Sequence, residues 1–272
     1  MALNSGTPRF TIGRTLGDSL KIFGRNFIAF ALLALAIRLL LLLVPQDQMT
    51  AAMTAAGRID WFSATVSMAV TIVVLSVTKA AMVFPTMQNL RGQRAVISDL
   101  WKCAPILPAI IAAEAIFSLP SIVSLTVQGL FAGNAMVTGF TSFIVSIVGL
   151  ALLLMWWLYP PAIAIEKGGV LHGLKRSNDL LRGRRWRIFG LLVILGIISV
   201  AVVMGIALAG GLSLSNLSAL ATIQPTSPIG IAIFIFSALV SAFSGVLITV
   251  SYYHLRLEKE GGIAEDLAQV FE

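Results

Sequence analysis

Charge is scarce in this chain. Only 11% of its 272 residues are Asp, Glu, Lys or Arg, while 58% are hydrophobic and the mean hydropathy is +0.94. A water-soluble domain carries about 25% charged residues to dress its surface, so water is excluded as the solvent over most of this chain. Cysteine is almost missing too. Cys103 stands alone, which rules out an intrachain disulfide and leaves the redox compartment unread. Two histidines, His172 and His254, lie far apart and cannot make a zinc site by themselves. There is no glycine-rich phosphate loop and no serine-centred nucleophile elbow, so neither a catalytic centre, a metal nor a cofactor is expected. The net charge of +7 does not indicate nucleic acid, because the basic residues sit between apolar blocks and not on one face of a soluble fold.

What the chain has in quantity is apolar runs. A hydrocarbon core of about 30 Å takes roughly 20 helical residues, and six stretches qualify: 27–44, 62–84, 104–127, 140–165, 188–212 and 229–253. Pro45 and Pro85 follow the first two. Trp61, Trp101, Trp156, Trp157, Tyr159, Trp186, Tyr252 and Tyr253 suit interfacial aromatic belts. The expected fold is all-α and membrane-integral: a leader over 1–25, a six-helix membrane domain over 26–255 and a charged tail over 256–272. The leader is too long and basic for a cleavable signal peptide, and the apolar run after it contains Arg38.

Orientation follows from the connections. One side holds sixteen of the nineteen Lys and Arg residues, from Arg9 and Arg14 to Arg256 and Lys259; the other side holds only Arg58, and Arg38 and Lys79 lie inside spans. The positive-inside rule then places both ends in the cytoplasm. An odd number of spans would destroy this asymmetry.

Each odd-numbered span follows a short amphipathic segment. Ile12, Leu16, Leu20 and Phe23 recur at helical spacing before the first, Val96, Ile97, Leu100 and Trp101 before the third, and Val170, Leu174, Leu180 and Leu181 before the fifth. Such helices lie flat in the interface with the apolar face down. The pattern predicts three units, each an interfacial helix followed by a hairpin of spans.

Three charges fall within spans: Arg38, Lys79 and Glu114. A charge at the bilayer centre costs about 2.5–3.5 kcal/mol or more, so such residues usually face the bundle and pair. At a rise of 1.5 Å per residue, Arg38 and Glu114 lie roughly 15–16 Å from the cytoplasmic ends of their spans and Lys79 roughly 8–13 Å. A cluster of Glu114 with Lys79, Arg38 or both is expected, either as a structural bridge or on a substrate, ion or proton path. Arg38 and Lys79 can alternatively snorkel to an interface, but the short Glu114 side chain cannot. Glu114, Ser118, Ser121 and Gln128 form one helical stripe, and Ser237, Ser241, Ser244 and Ser251 form another at the same offsets. Facing each other they would line a hydrated groove; serine also allows close helix packing. Between Glu166 and Arg187, Lys175, Arg176, Arg182, Arg184 and Arg185 are candidates for binding anionic headgroups of the cytoplasmic leaflet. Membrane lipids are therefore the expected partners; no protein partner can be read.

Two stretches, PPAIAIEKGGVLHGLKRSNDLLRGRRWRIFGL at 160–191 and YYHLRLEKEGG at 252–262, resemble the membrane domain attached to some bacterial glycerophosphoryl diester phosphodiesterases and its stand-alone relatives. The residues that carry the likeness are Glu166, Gly168, Leu174, Ser177, Leu181, Gly183 and Trp186, then Tyr252, Tyr253, Leu255, Arg256, Glu260 and Gly261. The family's phosphodiesterase domain, a separate metal-holding barrel, has no counterpart here. The resemblance therefore implies a membrane module and does not imply diester hydrolysis. The leading expectation is a non-enzymatic module for lipid handling, membrane scaffolding or transport assistance. The alternative is a small transporter or channel subunit with Glu114 on its path, and an intramembrane lipid-modifying enzyme is a third, more distant reading.

Overall fold

The computed structural model describes residues 10–43, 61–92, 103–131, 134–213, 223–224 and 226–260, and every regular element among them is a helix. Helix α1 (Ile12–Arg25) meets α2 (Phe27–Leu39) at 85°, and α2 tightens into a 3₁₀ turn over Leu40–Leu43. Asn26 sits at the corner. Its side-chain amide donates to the Ile22 carbonyl (3.1 Å), which the bend leaves without a helical partner, and to Asn89 Oδ1 (2.9 Å). The corner is thereby tied to the end of the helix that closes at Leu90.

Helix α3 (Trp61–Leu90) runs through Pro85, where the sequence suggested an end. The ring removes a backbone bond and crowds the preceding turn. Met82, Val83 and Met87 around it are fully buried, and their packing holds the helix together. Helix α4 (Leu107–Leu130) has Pro108 in its first turn, where no backbone donor is missed, and Pro120 inside. Helix α5 (Ala135–Trp156) is capped by Asn134, which accepts from the Val137 N–H at 3.2 Å.

After a break at Trp157–Leu158, the short α6 (Tyr159–Glu166) continues the direction of α5. Pro160 and Pro161 bring no N–H to this junction. Ser177 fills the gap, accepting from the Leu158 N–H (3.0 Å) and donating to the Met155 carbonyl (3.2 Å). A left-handed turn at Lys167 and Gly169 leads into α7 (Gly169–Leu181), and Gly183 at φ +84° leads into α8 (Arg185–Ala209). The last helix, α9 (Pro228–Glu260), has 33 residues, about 50 Å at 1.5 Å per residue.

Among the described residues five stretches are long and apolar enough to cross a membrane: Ala64–Leu90, Cys103–Leu130, Ala135–Glu166, Arg185–Ala209 and Pro228–Glu260. The bent pair α1–α2 makes a sixth if it counts as one span. Helices α3 and α9 form the centre; α1, α2 and α6 pack on this pair, α7 packs on α6 and α9, and α4 joins through α3. Ala238 and Ala242 are fully buried, and at Gly245 an added Cβ would lie 2.7 Å from Met82 Cβ. Small residues here let two backbones approach closely. Gly245→Ala is therefore expected to cost about 1–3 kcal/mol, seen as a lower unfolding temperature in detergent. Gly139→Ala, whose methyl would meet nothing within 4 Å, should not lower that temperature, since alanine is the better helix former.

The outer helices carry the opposite pattern. Helix α5 buries no residue and exposes Phe140 and Phe143, while α8 buries only Ile188, Leu191 and Ala207. Apolar exposure on this scale needs an apolar solvent or partner.

The amphipathic segments depart from expectation. Helix α1 turns Thr15, Ser19 and Ile22 inward toward α9 and leaves Leu20 exposed. Helix α7 lays most of its leucines on protein: Leu174, Leu180 and Leu181 are buried, Gly173 abuts Ile163, and Leu171 alone of its four leucines is exposed. The segment with Val96, Ile97, Leu100 and Trp101 lies outside the described residues, as do Arg9, Arg58 and Gly261. Trp157, Tyr159 and Tyr252, expected in aromatic belts, are buried in the protein, whereas Trp61 and Trp186 are exposed.

Candidate functional site

One charged site lies between apolar helices. Lys79 on α3 places Nζ 2.6 Å from Glu114 Oε2 on α4. Tyr159, the first residue of α6, donates its hydroxyl to the same oxygen, and the Lys79 ammonium donates to the Tyr159 hydroxyl at 3.2 Å. The rings of Tyr159 and Phe117 stand 5.3 and 5.8 Å from the ammonium. Glu114 is 2% exposed. One carboxylate is thus matched by one ammonium and one phenol, as a buried ion requires.

Arg38 does not join this cluster. Its Nη1 donates to Ser241 Oγ at 3.2 Å and points at the Ser237 carbonyl at 3.5 Å, both on α9. The expected three-charge cluster therefore resolves into Lys79–Glu114, completed by Tyr159, and a separate Arg38. Nothing in the sequence marked Tyr159 for this role, because its partners lie 45 and 80 positions away.

The two polar stripes do not form a common groove. Helix α4 packs chiefly on α3, α5, α6 and α7, and α9 chiefly on α3, α1, α2 and α8. Ser118 bonds back to the Glu114 carbonyl and Gln128 to Ser124, while Ser121 is exposed. Ser237 and Ser241 likewise donate to carbonyls of their own helix, and Ser244 is half-buried beside them. Ser118, Gln128, Ser237 and Ser241 are thus satisfied within their own helices, Arg38 draws on Ser237 and Ser241, and Ser251 is buried with its hydroxyl unpartnered among the described residues.

The other site gathers the ends of α6, α7 and α9. Glu166 accepts from Arg176 Nε (2.6 Å) and from the Tyr252 hydroxyl (2.7 Å), and lies 2.9 Å from His172 Nε2. Arg176 also reaches Glu260, which is held in turn by Arg256 (2.8 Å). Burial alone would lower the Arg176 pKa, but its bonds to Glu260 and Glu166 outweigh that and push it far up, so it stays a fixed cation. Arg184 pairs with Glu258 at 2.8 Å, and this bond raises its pKa. Glu258 accepts from the Phe10 N–H, and Arg187 donates to the Phe10 carbonyl at 2.8 Å, fastening the start of the described chain. Lys259 donates to the carbonyls of Asp179 and Arg182, and Arg185 to Asn178 (2.6 Å).

The five candidate headgroup ligands thus divide. Arg176, Arg184 and Arg185 are engaged inside the protein, because carboxylates and an amide on neighbouring helices reach them first; Lys175 and Arg182 remain exposed. The motif residues largely converge here. Gly168 has no room for a Cβ, which would stand 2.3 Å from the His172 ring, and Gly183 makes the turn before the exposed Trp186. Tyr253 is half-buried beside His254. That histidine, expected at an interface without a duty, is buried between Thr15 Oγ1 and Asp18 Oδ2, each 3.1 Å away. Among the described residues no group of three His, Cys, Asp or Glu could hold a metal ion.

Among the described residues these features define an all-helical bundle with five or six potential membrane crossings, the buried Lys79–Glu114 pair and an interlocked charged end. The chain belongs to the family described as domain of unknown function (DUF7847), whose model matches residues 10–255. The match contains both Lys79–Glu114–Tyr159 and Glu166 and stops just short of Arg256, Glu258 and Glu260. No curated protein and no solved structure matches the chain.

Proposed function

We propose that the protein is a non-enzymatic module of a bacterial inner membrane, with both ends cytoplasmic, that handles lipid or scaffolds the membrane at its basic end. The repeated order of α1 then α2 and of α7 then α8 supports a construction from helix-plus-hairpin units, and the likeness to the phosphodiesterase-linked membrane domain supports a module without hydrolase chemistry. One observation carries the reading. Arg176 and Arg184 are locked to carboxylates and Arg185 to Asn178, while Lys175, Arg182, Leu171 and the 83% exposed Trp186 stay free on the same stretch of chain. Free cations beside exposed apolar and aromatic side chains suit an anionic interface.

Each such cation contributes about 1 kcal/mol near an anionic surface, close to fivefold in affinity. The double variant Lys175→Gln/Arg182→Gln should therefore retain phosphatidylglycerol over phosphatidylcholine at least several-fold less well, measured by native mass spectrometry from mixed-lipid nanodiscs. Unchanged retention removes the headgroup reading. Reporter fusions test the orientation, and a periplasmic signal at either end sinks it.

A second reading, a small transporter or channel subunit, is favoured by one feature. Tyr159 opens a new helix directly after the Trp157–Leu158 break and binds Glu114, and interrupted helices commonly line transport sites. In a transporter, Glu114→Gln abolishes flux through a fold that persists.

A further inference from the structure

We propose that Arg38 and the serine row of α9 form a receptor, within the apolar part of the bundle, for a single acidic group: the carboxylate or phosphate head of an anionic amphiphile. The proposal rests on the membrane reading and names a ligand class for it. Lys79, Arg176, Arg184 and Arg256 each meet a carboxylate. Arg38 meets none among the described residues. Its protein partners are the Ser241 hydroxyl at 3.2 Å, the Ser237 carbonyl at 3.5 Å and the face of Phe234, 5.7 Å from Cζ. Its Nε is buried and has no hydrogen-bond partner among the described residues.

A guanidinium offers a planar fork of donors that matches a carboxylate or a phosphate. Here the serines steer one arm of the fork and another donor is left unused. The side chain as a whole is half-buried, so the site opens outward. Leu39 and Ile235, each next in sequence to a residue of the site, are exposed apolar side chains on α2 and α9 that suit an alkyl chain.

Depth also fits an amphiphile. At 1.5 Å per residue, Arg38 lies about 8 Å from Leu43 and about 17 Å from Phe27, so the site is nearer the end remote from the charged hub. An acidic head from that leaflet reaches it by sinking a short way. A free, strongly hydrated anion would have to shed its water entirely.

The test is thermal unfolding of the full chain in a neutral detergent, titrated with oleate, with phosphatidate and with oleyl alcohol as the uncharged control. A saturable rise of several degrees is expected with one or both acids and none with the alcohol. The acid that acts distinguishes a fatty-acid carboxylate from a phospholipid phosphate. Arg38→Gln should abolish the rise, and Ser241→Ala should weaken half-saturation about threefold to tenfold. Ser241→Asp supplies an internal carboxylate, so it should raise the unliganded melting temperature and cancel the response. This variant carries the test if Arg38→Gln fails to fold. Equal responses in wild type and Arg38→Gln, a wild-type-like response in Ser241→Asp, no rise with either acid, or an equal rise with the alcohol would each overturn the proposal. Lys175 and Arg182, which test the headgroup reading, belong to the charged end, so the two ideas fail separately.

Discussion

Replacing Glu114 with leucine is expected to lower stability by about 3 kcal/mol or more, and replacing Lys79 with methionine at the same time should restore most of that loss. The single change leaves an ammonium with only a phenol hydroxyl for company, among apolar helices. Removing one partner of a buried pair typically costs about 3–5 kcal/mol; the 23% exposure of the Lys79 side chain places this pair toward the lower end. The double change removes both desolvation penalties and leaves a contact between apolar side chains, which is often neutral or better. Chemical or thermal unfolding of the four proteins of the cycle, in one detergent, gives the coupling energy directly. A double variant as unstable as Glu114→Leu would mean that the pair does not act as a closed unit. Glu114→Gln completes the comparison, because its amide still accepts from Tyr159 and Lys79. Its loss should be smaller than that of leucine if the pair is structural, whereas a proton or ion path would show lost flux with little lost stability.

How far the amino-acid sequence reveals this arrangement depends on the range of the forces involved. Helix existence is a local matter of apolar content and length: the runs at 62–84, 104–127, 188–212 and 229–253 each fall on one helix of the bundle, and 140–165 falls on α5 and α6 together. Prolines were harder, because Pro85 breaks a local rule that tertiary packing overrides, while Pro160 and Pro161 coincide with a break that Ser177 repairs from another helix. Lys79–Glu114 was legible because an ion inside an apolar span demands a counter-ion and few exist. The partition of Arg38 away from it was not, since equal depth along a helix says nothing about which face meets which neighbour. The same ignorance of neighbours made the stripes of α4 and α9 look like two walls of one groove. Helix α7 shows the complement: its amphipathic pattern correctly gives a surface helix, yet Leu174, Leu180 and Leu181 find protein where lipid was expected. Asp18 and His254 carried no local signal at all, being brought together across more than two hundred positions.

Removing the Glu166 carboxylate is expected to loosen α7 from α9 while the interior of the bundle stays intact. Glu166→Ala deprives Arg176 of one of its two carboxylates and leaves the fully buried Tyr252 hydroxyl without its acceptor. An orphaned buried donor alone costs about 1–3 kcal/mol. The ionic part is discounted because the hub is partly exposed, so a total of about 2–3 kcal/mol follows. The effect should be local. Arg182 is already exposed, Arg176 would lose half of its anchorage, and both lie on or beside α7, so limited trypsin digestion should cut between 167 and 187 several-fold faster. Glu166→Gln keeps an acceptor for Tyr252 and loses only charge, which places it between alanine and the parent. Salt separates this site from the interior pair: a partly solvated network weakens as ions screen it, whereas a buried pair is screened much less. High salt should therefore push the parent toward the proteolytic behaviour of Glu166→Ala without reproducing the stability loss of Glu114→Leu. Cleavage that is indifferent to both Glu166→Ala and salt would show that the buried leucines of α7 hold it in place unaided.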